Sequence, residues 1–162
     1  GCAPLIALLL TLVAPGAFGA SVYVAAAASL QGPLEKIAAD FAQTLKGGEF
    51  VSLIGDLGAG KTTFTRGLVQ ALGGTVRVKS PTFTVMNEYP VDHATIKRIV
   101  HIDFYRFTDT SELEALSLED ERRPDTVILA EWPNIFTRNP IVPDRTILLE
   151  YRTIEERQIK IN

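Results

Sequence analysis

The sequence predicts an α/β fold in three layers, a mixed parallel and antiparallel sheet with helices on both faces, and three observations predict it. The glycine-rich stretch Gly55-Asp56-Leu57-Gly58-Ala59-Gly60-Lys61-Thr62 sits between a short apolar run, Phe50-Val51-Ser52-Leu53-Ile54, and a segment in which Phe64, Leu68, Ala71 and Leu72 recur at helical spacing. Thr126-Val127-Ile128-Leu129-Ala130-Glu131 is a second, almost wholly apolar run, as expected of a central parallel strand buried on both faces. Residues 146–151 and 158–161 alternate apolar with polar around a polar turn, which predicts an antiparallel pair at the sheet edge.

The glycine-rich stretch fits the phosphate-binding pattern G-x-x-x-x-G-K-[ST] at every fixed position, in the strand, loop and helix setting that pattern requires. Glycines let successive N–H groups turn inward around phosphate oxygens, and the N-terminus of the following helix adds partial positive charge. A P-loop NTPase-like fold follows. Gly55, Asp56, Leu57, Gly58, Ala59, Gly60, Lys61, Thr62 and Thr63 are the expected nucleotide-binding residues. Lys61 reaches the β- and γ-phosphates, and the Thr62 hydroxyl is placed to ligate Mg2+.

At 162 residues the chain has the length of one domain, and its single cysteine, Cys2, excludes an internal disulfide framework. A net charge of -3 argues against a protein whose main task is gripping a nucleic-acid backbone.

Taken in order, the chain opens with no Asp, Glu, Lys or Arg before Glu35. Residues 5–14 form an apolar run closed by Pro15-Gly16, too short to span a membrane but of the size of a secretory signal's hydrophobic region. Residues 1–21 therefore read as a signal-peptide-like segment and 22–162 as a single domain, with 22–47 a strand and helix leading in. Pro33 opens that helix, and Leu34, Ile37, Ala38, Phe41, Ala42 and Leu45 form its apolar stripe. Residues 22–41 resemble the amino end of periplasmic molybdate-binding proteins, which would make Ser29 an oxyanion ligand; the plainer reading is a helix-start residue. Gly73-Gly74 ends the helix after the phosphate loop. Residues 80–89 begin as a loop and become a strand stopped by Pro90, and residues 98–103 form its hairpin partner. Ser111-Glu112-Leu113-Glu114 reads as a capping box with Ser111 at the N-cap.

Four blocks stand in order: GDLGAGKTTF, SPTFTVMNEY, HIDFYR and AEWP. Together they closely resemble the TsaE family, the small ATPase of bacterial tRNA threonylcarbamoyladenosine biosynthesis, from about Phe41 to Asn162. The resemblance implies ATP and Mg2+ binding, slow hydrolysis stimulated by the partner proteins TsaB and TsaD, tRNA as an indirect partner only, and a cytoplasmic setting without membrane contact. That setting conflicts with the signal-like start, since an exported ATPase would lack ATP. The resemblance also makes residues 80–84 a mobile segment over the nucleotide, Asp103 the magnesium-linked acid, and Glu131-Trp132 the essential acid and tryptophan. Ser117 stands where family members commonly carry glycine.

Each site residue has a chemical role to fill. Lys61, Asp103 and Glu131 are the candidate catalytic residues: Lys61 compensates phosphate charge, Asp103 holds magnesium through water, and Glu131 positions or activates the attacking water, with direct metal ligation as a further option. The alternatives are a turn-capping role for Asp103 and a salt bridge for Glu131. Thr82 and Thr84 are switch candidates that offer hydroxyls; Arg106 and Trp132 are candidates for charge compensation or partner contact. His101 reads as structural. Competing functions are a P-loop small-molecule kinase, a non-catalytic nucleotide switch and, from the amino end alone, an exported oxyanion-binding protein.

Overall fold

The computed structural model describes residues 21–26, 31–132, 142–154 and 156–162. Seven strands form one sheet in the order β1-β7-β6-β2-β5-β4-β3. They are β1 (Ser21–Ala26), β2 (Phe50–Gly55), β3 (Met86–Pro90), β4 (Arg98–Asp103), β5 (Thr126–Glu131), β6 (Arg145–Thr153) and β7 (Glu156–Ile161). The helices are α1 (Gln31–Ala42), α2 (Lys61–Ala71), α3 (Thr110–Ala115) and α4 (Leu118–Glu121). β6, β2, β5 and β4 run parallel, and β7, β1 and β3 add antiparallel strands on the two sides. The expected α/β class with a mixed sheet is the one found.

Every residue of β5 is buried because parallel neighbours flank it and helices cover both faces, which is what its continuous apolar run demands. Alternate residues divide between two cores. Val127 and Leu129 pack with Ile37, Phe41, Phe64 and Leu68 of α1 and α2. Ile128 and Ala130 pack with Phe104 and Phe107 on the other face, where Leu116 and Leu118 close the layer. The same division holds along β4, where Ile99 faces the α1–α2 core while Val100 and Ile102 face away. His101 and Asp103, two and four residues beyond Ile99, therefore point to the side on which α2 begins.

α1 buries the predicted stripe from Leu34 to Ala42 and ends there, with Leu45 buried just beyond. It packs so closely on α2 that a Cβ on Gly67 would lie 2.6 Å from Glu35 Cα. After α2 the Gly73 and Gly74 N–H groups return to the Gln70 and Val69 carbonyls and satisfy the helix end.

Two expectations are corrected. The β6–β7 pair is antiparallel as expected, but it is not at the sheet edge: β6 pairs in parallel with β2, and β1 covers β7. The capping box lies two residues earlier than read. Asp109 Oδ1 accepts from Ser111 N–H at 3.0 Å, and Glu112 reaches back to Asp109 N–H at 3.3 Å, so Asp109 rather than Ser111 is the N-cap. The signal-like residues 1–20 and Ser29 lie outside the described residues. Among the described residues, no helix is long and apolar enough to cross a membrane.

Candidate nucleotide site

β2 carries the chain to Gly55 and α2 starts at Lys61, so the glycine-rich stretch is the short turn between a central strand and a helix. Ala59 N–H donates to Asp56 O at 3.0 Å, and Phe64 N–H to Gly60 O at 2.9 Å begins the helix. The first-turn N–H groups ahead of Phe64 have no intrahelical acceptor, as at any helix start. Gly60 holds φ 105°, and a Cβ there would meet Leu34 Cδ1 at 2.6 Å. Both the left-handed backbone and the contact with α1 require glycine at this position.

The Lys61 side chain is buried within its own loop. Its ammonium donates to Gly55 O at 2.6 Å and to Asp56 O at 3.1 Å, lies 3.8 Å from Glu131 Oε2, and sits over the Trp132 ring at 4.9 Å from the centroid. Glu131, the last residue of β5, is also buried, and its other oxygen, Oε1, is 2.8 Å from His101 Nε2. The carboxylate is therefore held between a lysine on the loop and a histidine on β4.

Asp103 is the register partner of Glu131 across β4 and β5 and is buried beside it. Its Oδ1 accepts from Tyr105 N–H at 2.9 Å, so the turn-capping role is realised by one oxygen. Its Oδ2 accepts from the Thr82 hydroxyl at 3.0 Å, and Thr82 in turn lies 2.8 Å from the Ser80 hydroxyl. This chain of hydroxyls ties the segment after Lys79 to the end of β4. The segment then closes through a left-handed Val85, φ 67°, whose carbonyl accepts Asp103 N–H. Trp132, φ 57°, leaves β5 in the same unusual region. A β-branched residue and a tryptophan in left-handed conformations mark local strain on both sides of the site.

These groups surround a cavity of about 580 Å³, a size suited to a nucleotide. Lys61, Thr62, Thr63, Thr82, Asp103, Glu131 and Trp132 all line it, along with Leu57, Gly58 and Gly60 of the loop. Thr84 and Arg106 do not line it. Thr84 donates instead to Asn87 Oδ1 at 2.8 Å, and the Arg106 guanidinium sits over the exposed Phe83 ring, 5.8 Å from its centroid. The sequence places Ser80 only within the segment over the nucleotide, reads His101 as structural and does not single out Tyr105. Ser80 and Tyr105 line the cavity, and Tyr105 packs its ring 5.5 Å from that of Trp132. His101 touches Glu131, and its spacing of two from Asp103 on one strand was the available signal.

The curated tRNA threonylcarbamoyladenosine biosynthesis protein TsaE of Haemophilus influenzae is 43% identical over 99 residues, 61% of this chain and 60% of that protein. The protein of the same name from Bacillus subtilis is 37% identical over 126 residues, 78% of this chain and 75% of the relative. The match thus spans about three fifths of the Haemophilus protein's length. Among solved structures, the crystal structure of Bacillus subtilis YdiB superposes with a TM-score of 0.65 over 88% of this chain and 84% of that one, at 28% identity. The family model described as "Threonylcarbamoyl adenosine biosynthesis protein TsaE" matches residues 30–160, starting ahead of the Phe41 boundary set by the motif blocks and taking in all of α1. With the fold, the phosphate loop and this extent of match in agreement, the chain belongs to the TsaE family.

Proposed function

We propose that the chain is a slow ATPase of tRNA N6-threonylcarbamoyladenosine biosynthesis, acting in the cytoplasm and stimulated by TsaB and TsaD. One observation carries the reading: the loop lysine and the β5 glutamate meet, 3.8 Å apart, inside a nucleotide-sized cavity that Thr62 and Asp103 also line. The names of the Haemophilus and Bacillus relatives support the pathway. The net charge of -3 supports an indirect relation to tRNA.

In this reading a water attacks the γ-phosphorus, the bond from that phosphorus to the bridging oxygen breaks, and ADP leaves. Lys61 exchanges the Gly55 and Asp56 carbonyls for phosphate oxygens, which bind an ammonium more strongly because both partners are charged. The N–H groups at the start of α2 receive the remaining phosphate oxygens. Glu131 orients the water from the end of β5, where burial excludes competing solvent. Thr82 links the segment above the cavity to Asp103, so binding at the γ-position is felt by that segment.

The donor set fits magnesium. Thr62 and Asp103 offer hard oxygen ligands, and the described residues contain no cluster of three His, Cys, Asp or Glu side chains that would form a complete protein cage. Magnesium in such sites keeps water and phosphate as most of its ligands. Bound here, the ion would supply positive charge to offset that of the phosphates. Thr62 would hold it directly and Asp103 through water, with Glu131 as a further carboxylate in reach of the same space.

Phosphate release by the purified chain, with and without the two partner proteins, tests the proposal. Slow turnover that rises when both partners are added is expected, and Lys61→Ala should lose ATP binding and turnover together. Absence of turnover under both conditions, or normal turnover by Lys61→Ala, would overturn it. A P-loop small-molecule kinase usually carries an arginine-rich lid over the phosphates, and the paired arginines of this chain, Arg122 and Arg123, do not support that alternative. Arg122 pairs with Asp144 at 2.8 Å, and Arg123 donates to the Asp120 carbonyl at 3.2 Å, so neither forms a lid.

A further inference from the structure

His101 is fully buried in β4, yet it makes one polar contact of consequence: Nε2 lies 2.8 Å from Glu131 Oε1, while Nδ1 has no hydrogen-bond partner among the described residues. A carboxylate can only accept, so the contact is a hydrogen bond only when Nε2 carries the proton. A neutral imidazole then leaves Nδ1 as the bare nitrogen, which matches its lack of a partner. A structural histidine in a core ordinarily satisfies both nitrogens, since an unpaired buried polar atom is destabilising. Here one nitrogen is left unsatisfied and the other is aimed at the acid whose second oxygen faces Lys61.

We propose that His101 is a positioning residue for Glu131: its Nε2–H holds Oε1 so that Oε2 is presented to the cavity and to Lys61. Without it, the Glu131 carboxylate is free to rotate onto Lys61 with both oxygens. A bidentate pair of that kind would withdraw the lysine from phosphate and the carboxylate from water. With it, one oxygen is already occupied by a neutral donor and the pair stays single-pointed. The Tyr89 ring lies beside the imidazole, with centroids 6.4 Å apart and the planes tilted by 44°. This inference rests on the proposed role of Glu131 in hydrolysis.

The test uses the full chain with its stimulating partners. Glutamine places its amide nitrogen near the position of His Nε2 and loses nothing at Nδ1, so His101→Gln should keep most turnover. His101→Leu should lower kcat roughly tenfold or more with little change in KM. In a Glu131→Gln background, His101→Leu should add no further loss, because the group it positions is already gone. A full additional loss there, or equal loss in His101→Gln and His101→Leu, would overturn the positioning role. Glu131→Gln alone, if fully active, would instead overturn the reading of Glu131. Should the leucine variant fail to fold, side-chain ¹⁵N spectra of the unmutated chain decide: protonated Nε2 with bare Nδ1 supports the assignment, and the Nδ1–H tautomer overturns it.

Discussion

Asp103 and Glu131 occupy the same rung of the sheet: they are register partners at the carboxyl ends of the parallel strands β4 and β5, and both side chains point toward the phosphate loop. Ligands of open α/β sheets bind beyond such strand ends. The two carboxylates are nonetheless held differently. Glu131 is paired with His101 and Lys61, whereas Asp103 is satisfied by a hydroxyl and a backbone N–H.

That difference predicts different losses. Asp103→Asn should weaken magnesium-dependent nucleotide binding by about tenfold and reduce hydrolysis with it, because the charge removed acts in the ground state. Glu131→Gln keeps shape and should leave affinity little changed while turnover falls roughly tenfold or more. Titration with a fluorescent ATP analogue alongside phosphate release separates the two. Unchanged hydrolysis by Glu131→Gln with active partners present would remove Glu131 from the mechanism and leave it a purely structural role.

Gly67 sets two physical effects against each other. Helix propensity alone favours Gly67→Ala by about 1 kcal/mol. The new Cβ, however, would lie 2.6 Å from Glu35 Cα and 3.0 Å from its carbonyl oxygen, so α1 must move off α2. Overpacking of that kind costs about 1–3 kcal/mol, and the variant should melt lower, by about 2–4 °C for each net kcal/mol lost. A raised melting temperature would show that the helices separate freely.

Ser117 predicts the opposite sign. It sits at φ 47°, ψ 48° before α4 and makes no side-chain capping hydrogen bond. A left-handed conformation costs a non-glycine residue roughly 1–2 kcal/mol, and glycine returns about 0.5–1 of that through its freer unfolded chain. Ser117→Gly should therefore raise the urea midpoint slightly. A lower midpoint would mean that the hydroxyl contributes more than the backbone loses.

Glu112 gives the cap of α3 a pH dependence. Hydrogen bonds from the Thr108 N–H first and the Thr108 hydroxyl second, with a further one from Asp109 N–H, hold its carboxyl below the usual glutamate range. A depressed folded value means that the contribution is present above the unfolded value, about 4.3, and is lost as pH falls through the folded one. Glu112→Gln should be less stable than the unmutated chain at pH 7, and the gap should shrink as the pH is lowered below the ordinary glutamate range. A gap that keeps the same size as the pH is lowered would exclude linkage through this carboxyl.

Legibility followed the range over which each signal acts. The phosphate loop and β5 were readable because their chemistry is written in consecutive residues: fixed glycines around Lys61, and an unbroken apolar run from Val127 to Ala130. The α3 cap slipped by two residues because Ser111 and Asp109 are both good caps, and only the reach of Glu112 back to Asp109 decides between them. The contact of His101 with Glu131 crosses thirty positions and two strands: spacing from Asp103 puts His101 on the same face of β4, but only the pairing of β4 with β5 supplies its partner. The place of β7 inside the sheet depended on β1, a short strand whose pairing partner lies at the far end of the chain. Thr84 matched the hydroxyl chemistry sought at the cavity, but the turn at Val85 directs it to Asn87.

The position of β1 bears on how copies of this chain behave toward one another. One flank of the sheet is guarded: β3 carries Glu88 and finishes at Pro90, residues that discourage a further strand from adding. Among the described residues the opposite flank ends in Ser21-Val22-Tyr23-Val24-Ala25-Ala26, a stretch with neither charge nor proline to turn a newcomer away. Crowding at high concentration should therefore recruit strands at β1, and a lysine at position 23 should raise the concentration at which light scattering first climbs; the same onset in both proteins would point to another sticky surface. Colloidal behaviour then falls to a stretch that precedes the 30–160 region shared with the family, and can differ between members whose phosphate-loop regions match.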